Sequence, residues 1–196
     1  MPAARPDLHT IFQPIAALGH VALAVSGGSD SMAMLRLATE WRDEFRRDCK
    51  LSVLTVDHGL RPGSAAEAEK VAARARGLGL DQATLHWAGS RGGAGLQARA
   101  RKARYDLMAS WCREQGAEAL LTAHTLDDQA ETVLMRLSRT ASIDSLAAIR
   151  GDGHWAGTRL VRPLLAVRRE ALRAYLTAIG QGWIEDPSNG DPRFER

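Results

Sequence analysis

A short polar stretch at residues 26–31 carries the chemical groups that can bind a phosphate. It follows five apolar residues and leads into a helical pattern that starts near residue 30. Glycines let the backbone approach an anion closely, and the N–H groups and dipole of a helix N-terminus favour negative charge there. Serine hydroxyls add further donors. We therefore predict a phosphate-binding loop formed by Ser26, Gly27, Gly28, Ser29, Asp30 and Ser31.

Two more polar clusters follow predicted strands, at residues 57–61 and 124–131. The first strand, at residues 21–25, is apolar at every position, which is typical of a parallel strand buried on both faces. Strands and helices alternate through residue 140, which predicts an α/β fold with a Rossmann-like parallel sheet and helices on both faces. Ligands of such sheets bind beyond the carboxyl ends of the strands. We therefore expect one pocket to collect all three clusters.

The remaining elements are read from hydrophobic periodicity and turn residues. Ser64 is expected to cap the third helix. The glycine-rich segment at residues 89–95 does not follow a strong strand, so we interpret it as a surface loop or lid. The pattern predicts helices at 8–18, 30–45, 65–78, 96–115, 126–139, 142–149 and 168–179, and strands at 21–25, 51–56, 83–87, 119–122 and 160–161.

Composition narrows the class of protein. The net charge is +3 and the basic residues are mostly arginine, which fits a nucleic-acid partner but also fits a biased genome. Cys49 and Cys112 have no metal-ligand spacing and are expected to be buried thiols in a reducing compartment. The N-terminus does not resemble a secretory signal, and no apolar run is long enough to span a membrane. We expect a cytoplasmic protein without a membrane partner.

The loop at residues 26–31 lacks both the Walker ending and the dinucleotide-binding fingerprint. It resembles the PP-loop of the N-type ATP pyrophosphatases, which cleave ATP to AMP and pyrophosphate by adenylating a substrate. From about residue 21 to its end, the chain is also similar to the tRNA(Ile)-lysidine synthase family. That similarity rests on five further segments, which occur in this order: 56–61, 100–105, 124–132, 162–165 and 183–189.

The resemblance implies an adenine nucleotide alpha hydrolase-like fold and a specific reaction. ATP and Mg²⁺ would activate the C2 carbonyl of the wobble cytidine in the CAU anticodon of tRNA(Ile). Free L-lysine would then attack C2 through its ε-amino group, and AMP would leave. Residues 26–31 would bind ATP and pyrophosphate. Asp30 is the preferred Mg²⁺ ligand, and a helix-capping role for it is compatible with that assignment.

Other residues receive expected roles from their positions within these segments. Asp57 and His58 would line the ATP pocket, although Asp57 is equally suited to holding a turn. His124 would contact ATP or the activated cytidine, with a structural role as the alternative. Arg61, Arg101 and Arg104 are candidate contacts to tRNA phosphates, or else solvated surface cations. Tyr105 fits the core better than a base-stacking role.

The resemblance places the lysine subsite on the helix that begins near residue 126. Asp128 and Glu131 share one helix face at i, i+3, and carboxylates suit the ammonium group of lysine. Asp128 also stands at capping-box distance from Thr125, whereas Glu131 lies beyond that cap. The same helix is expected to bury an apolar stripe on its other face. That stripe consists of Ala130, Val133, Leu134 and Leu137.

The chain differs from the family pattern in two respects. Family members usually carry glycines where this chain has residues 139–143, so the shape of that loop is an open question. They also continue into further tRNA-binding regions. We therefore interpret residues 1–196 as the PP-loop catalytic domain, with residues from about 150 to 196 as its C-terminal extension. Competing hypotheses are a PP-loop tRNA thiolase, which the positions of the two cysteines disfavour, and a non-catalytic ATP-binding module.

Overall fold

The structure is a computed structural model that describes residues 5–59, 63–89, 95–138 and 148–185. Six strands form its sheet: β1 His20–Ala24, β2 Lys50–Asp57, β3 Asp81–His86, β4 Ala119–Leu121, β5 Asp152–Trp155 and β6 Thr158–Val161. The described ranges contain six α-helices: α1 Leu8–Phe12, α2 Ser29–Phe45, α3 Ser64–Gly77, α4 Leu96–Gln115, α5 Leu126–Leu137 and α6 Arg169–Ala178.

The strands lie in the order β3-β2-β1-β4-β6-β5. All neighbouring pairs are parallel except β5 and β6, which are antiparallel. This confirms the predicted α/β fold. The sequence did not reveal β5, because its four residues are polar or only half-buried at the sheet edge. β2 and β4 pair with opposite edges of β1, so the strand order reverses its direction at β1. Doubly wound sheets bind ligands in the crevice at such a reversal, beyond the carboxyl ends of the strands.

The core lies on both faces of the sheet, which explains why residues 21–24 of β1 are all apolar. Val21 and Leu23 face a large cluster formed with α1, α2 and α6, where Trp41 is almost fully buried. Ala22 faces a smaller cluster on the opposite side, beneath α4. Successive residues of a strand point to opposite faces of the sheet. When both faces are buried, no side chain of the strand faces solvent, so each position favours an apolar residue.

Two helix boundaries differ from the prediction for local reasons. The first helix ends at Phe12, and a short 3-10 helix over Gln13–Ile15 follows, with proline in its first turn. Proline cannot donate the hydrogen bond that would continue the α-helix. Ser64 does not cap α3, because it is the first residue of that helix, and Gly63 is the N-cap with φ +94°. The Ser64 side chain bonds to Asp57 instead.

The predicted apolar stripe of α5 is wrong. No residue of α5 is buried, and Leu134 and Leu137 are 66% and 53% exposed. Periodicity reveals an apolar face but not what covers it. At the start of this helix the N–H of Leu126 donates to the carbonyl of Val167, and Gln129 bonds to Ile149.

Several predictions fall on residues outside the described ranges. They concern residues 142–147 of the predicted helix at 142–149, the centre of the glycine-rich loop at 90–94, Arg61 and the chain after residue 185. Residues 148 and 149 are described and are not helical. Within the described ranges, no helix combines the length and apolar character that crossing a membrane requires.

Candidate active site

The predicted phosphate-binding loop connects β1 to α2 and is folded by its own serines. Gly27 has φ +92°, a value that strains any residue with a β-carbon. The Ser31 hydroxyl donates to the carbonyl oxygen of Gly28 over 3.0 Å and accepts from the N–H of Ser26 over 3.2 Å. The loop is therefore held as a tight turn at the N-terminus of α2, where free N–H groups favour an anion.

Asp30 lies in the first turn of α2 and does not cap that helix. The N-cap is Gly28, which has no side chain for capping. Asp30 Oδ1 accepts from the Ser29 hydroxyl, and Oδ2 accepts from Arg169 Nε over 3.1 Å. Burial raises the pKa of Asp30 above its ordinary value, and Arg169 and Ser29 oppose that rise. The carboxylate thus faces the inside of the site.

Arg169, the first residue of α6, binds three carboxylates from two other helices. Besides Asp30, its guanidinium donates to Asp128 Oδ1 over 3.0 Å and to Glu131 Oε1 over 3.3 Å. Its backbone N–H also donates to Asp127 Oδ2 over 2.7 Å. Although burial alone would lower it, the bonds to these carboxylates raise the pKa of Arg169. The structure therefore joins the phosphate loop to the predicted lysine subsite through one side chain.

Asp128 and Glu131 are held differently within this subsite. Asp128 Oδ2 accepts from both the N–H and the hydroxyl of Thr125, which completes the capping box anticipated from the sequence. Its other oxygen faces Arg169. Glu131 is not part of the cap and its side chain is 43% exposed. Asp128 is therefore structurally anchored, whereas Glu131 is the more accessible carboxylate.

His124 lies at the carboxyl end of β4, in a positively charged part of the site. Its Nδ1 shares a 3.0 Å hydrogen bond with the Thr122 hydroxyl. Burial, together with the charges of Arg162, Arg101 and Arg104, lowers its pKa to about 4, while Asp128 acts in the opposite direction. The imidazole is therefore neutral at physiological pH, and it can donate or accept a hydrogen bond without bringing a positive charge into the site.

Arginines beside His124 surround a buried tyrosine. The guanidinium carbons of Arg101 and Arg104 lie 5.3 and 5.6 Å from the centre of the Tyr105 ring. Tyr105 is buried, as predicted, and its ring packs 5.1 Å from that of Trp155. Arg162 Nε is also buried, and the described residues offer it no hydrogen-bond partner. This basic group suits an anionic ligand, while the acids around Arg169 suit a cation.

Asp57 holds a turn at the carboxyl end of β2, next to β1 in the sheet. Its Oδ1 accepts from the N–H of Gly59 over 2.9 Å, which bears out the turn alternative. Ser64 and Gly59 lower the pKa of Asp57 through hydrogen bonds, and His86 and His58 contribute through their charges. The roles of Asp57 and His58 toward ATP remain predictions.

The site also contains residues from the last described part of the chain: Ile184, which lies in the segment 183–189 but received no role from the sequence, and Arg173, which the sequence did not single out. The N–H of Ile184 donates to the carbonyl oxygen of Gly27 over 2.9 Å. Arg173 Nε lies 3.4 Å from the Ser29 hydroxyl, one helical turn beyond Arg169 on α6. The spacing of Arg169 and Arg173 at i, i+4 was the available signal, because it places two cations on one helix face.

The chain is similar in sequence to known proteins over most of its length. The sequence profile of a family described as "PP-loop domain" matches residues 3–196. The chain is 50% identical over 176 residues to tRNA(Ile)-lysidine synthase of Rhodopseudomonas palustris, covering 90% of this chain and 51% of that protein. Its identity to the Ruegeria pomeroyi protein of the same name is also 50%, over 184 residues, covering 94% of this chain and 43% of that protein. The chain thus spans about half the length of these relatives.

A solved structure supports the same architecture. The U34-tRNA thiolase NcsA from Methanococcus maripaludis, determined with its [4Fe-4S] cluster, superimposes with a TM-score of 0.77. The alignment covers 94% of this chain and 65% of the thiolase. Sequence identity is 16%, so the similarity concerns the fold alone.

Proposed function

Because this chain belongs to the PP-loop domain family, we propose that it forms the catalytic part of an enzyme that attaches free L-lysine to tRNA(Ile). The reaction joins lysine to C2 of the wobble cytidine of the CAU anticodon and converts ATP to AMP and pyrophosphate. The observation that carries this proposal is the convergence of Asp30, Asp128 and Glu131 on a single cation directly beside a phosphate-binding loop.

Adenylation is the first step. The C2 carbonyl oxygen of the cytidine attacks the α-phosphorus of ATP, a P–O bond forms, and pyrophosphate leaves with the electrons of the broken P–O bond. The N–H groups at the start of α2 and the hydroxyls of the loop at residues 26–31 bind the departing anion. Arg173, next to Ser29, adds a cation on the same side.

Lysine attachment is the second step. Asp128 and Glu131 bind the ammonium group of lysine, because paired carboxylates attract a cation most strongly in a partly desolvated site. The ε-ammonium first gives up a proton through Glu131 to solvent, and the neutral ε-amine then attacks C2. A C–N bond forms, the C2–O bond breaks, and AMP leaves with that oxygen. The proton lost from the amine passes to solvent through the exposed Glu131 side.

Mg²⁺ fits the residues at the loop when the phosphates of ATP are counted among its ligands. The described residues contain no group of three or more His, Cys, Asp or Glu side chains placed to hold a metal alone. Mg²⁺ usually takes one or two protein carboxylates together with phosphate oxygens and water. Asp30 would supply the carboxylate, and the ion would neutralise charge on the departing pyrophosphate.

The basic side of the site suits the polynucleotide. Arg162, Arg101 and Arg104 all act through their charges on the pKa of His124, so they lie near that neutral imidazole. Guanidinium groups bind phosphates in a bidentate manner, and such contacts position a nucleic acid without reading its sequence. His124 is uncharged, so it can hydrogen-bond the activated base without repelling a nearby lysine.

The alternative of a thiolase is disfavoured by both cysteines. Cys49 and Cys112 are buried in different core clusters, on opposite faces of the sheet. Burial raises the pKa of both thiols, that of Cys112 to about 11, so neither is primed as a thiolate. Neither side chain is available to hold sulfur for transfer.

The test is incubation of the full-length protein with ATP, labelled L-lysine and tRNA(Ile) that carries the CAU anticodon. The proposal predicts label in the tRNA and lysine-dependent release of AMP. The matched control is the same tRNA with uridine at the wobble position, which should take up no label. ATP binding without lysine incorporation would refute the proposal and favour a non-catalytic module, and sulfur incorporation would favour a thiolase.

A further inference from the structure

Arg169 occupies the position that a substrate cation needs. Its guanidinium lies within 3.3 Å of oxygens from Asp30, Asp128 and Glu131. We propose that Arg169 is a positioning residue that couples the two small substrates: it neutralises the lysine subsite until ATP binds and then turns toward the nucleotide phosphates. This inference rests on the proposed function, because it takes Asp128 and Glu131 as the lysine subsite.

Competition for the same oxygens is the first part of the argument. A lysine ammonium must approach Asp128 and Glu131, and both already accept from Arg169. Asp128 has no spare oxygen, because Oδ2 is taken by Thr125. A lysine ammonium that binds both carboxylates must therefore compete with the guanidinium for them, which weakens lysine binding to the nucleotide-free protein.

The link to the nucleotide is the second part. Arg169 Nε bonds to Asp30, which belongs to the phosphate-binding loop itself. Phosphates bound at residues 26–31 would bring several anionic oxygens next to this guanidinium, and a bidentate Arg–phosphate pair is strong. Movement of the guanidinium toward the phosphates would expose Asp128 and Glu131 to lysine.

The backbone of Arg169 supports a movement of the side chain alone. Its N–H is fixed on Asp127 Oδ2, and the next turn of α6 begins with the bond from Leu172 N to Arg168 O. These contacts do not involve the guanidinium. Substituting Arg169 therefore removes the guanidinium from the carboxylates of Asp128 and Glu131. The backbone bond to Asp127 still attaches the start of α6 to α5.

The experiment measures the dissociation constant of L-lysine with and without a non-hydrolysable ATP analogue and Mg²⁺. In the wild-type protein the analogue should tighten lysine binding by about fivefold or more. By linkage, lysine should tighten binding of the analogue by the same factor. In Arg169→Gln, lysine should bind the nucleotide-free protein more tightly than it binds the nucleotide-free wild type, and the effect of the analogue should disappear.

Arg168→Gln is the matched control, because Arg168 is adjacent, exposed and loses the same charge. It should retain the wild-type coupling. The inference is overturned if the analogue leaves the lysine affinity of the wild-type protein unchanged, or if Arg169→Gln weakens lysine binding equally in both states. The wild-type measurement stands even if the variant does not fold.

The same preparation separates this inference from the proposed function. Lysine incorporation into tRNA(Ile) without nucleotide-dependent lysine binding would reject the coupling role and keep the enzyme assignment. Absence of both lysine binding and incorporation would reject both.

Discussion

The N–H of Ile184 donates to the carbonyl oxygen of Gly27 over 2.9 Å, across 157 positions of the chain. A β-carbon on Gly27 would lie 2.6 Å from Cδ1 of Ile184, which is closer than carbon atoms approach. The segment after α6 therefore packs directly on the phosphate-binding loop. The positive φ favours glycine at this position, and a β-carbon there would also force the end of the Ile184 side chain to shift.

Gly27→Ala should destabilise the protein by about 2–4 kcal/mol, since a β-carbon adds both backbone strain and a clash. Chemical denaturation measures the change. Gly77→Ala is the control, because a β-carbon there meets nothing within 4 Å and the residue ends a helix. When Ile184→Ala is added to Gly27→Ala, the double variant should regain only the part of the stability that was lost to the clash. Full recovery by Ile184→Ala would show that the backbone conformation at Gly27 carries no strain.

Glu131→Gln should raise the KM for lysine about tenfold or more, because a hydrogen bond to a charged group is worth about 1.5–3 kcal/mol. The KM for ATP should stay the same, since Glu131 is not in the phosphate-binding loop. Steady-state kinetics with each substrate varied separately gives both values. Glu170→Gln makes the same chemical change on an exposed part of α6 and should alter neither. An equal rise in both KM values would contradict a lysine-specific role.

Asp128→Asn should impair stability as well as lysine binding. The substitution weakens the capping box with Thr125 and the ion pair with Arg169. Loss of a cap costs about 1 kcal/mol, and the free energy of unfolding should fall by about 1–2 kcal/mol. Urea unfolding checks this. Glu131→Gln should lose much less stability, so equal losses in the two variants would argue against the anchoring role of Asp128.

His124 should make stability depend on pH below neutrality. The folded pKa of about 4 lies below the ordinary value of 6.5, so the unfolded chain binds a proton first as the pH falls. The stabilising contribution is complete above pH 6.5 and is lost as the pH falls toward 4. Between pH 7 and pH 5 this amounts to about 2 kcal/mol.

His124→Asn should remove that part of the pH dependence while keeping a polar group near Thr122. Urea unfolding at pH 7 and pH 5 gives the difference for both proteins, and other titrating groups cancel in the comparison. An unchanged pH dependence would mean that His124 titrates near its ordinary value in the folded protein.

Local chemistry allowed the sequence to predict much of this architecture. Three features depend only on residues that are close in sequence, so the sequence alone predicts them. They are the apolar run in β1, the turn at residues 26–31 and the capping box at Thr125. Arg169 was missed because its importance arises from partners about 40 and 139 positions away. The polar edge strand β5 and the exposed face of α5 were misread because burial depends on the rest of the fold.

The pairing of β6 with β4 and the position of α6 have a consequence for dividing this protein into fragments. Residues 152–185 supply two strands of the sheet, Arg169 and the backbone contact on Gly27. A fragment ending near residue 150 would keep four parallel strands and the entire phosphate-binding loop, yet its acids would have lost their shared counter-cation. A split-protein design should therefore keep α6 and residues 179–185 together with the loop.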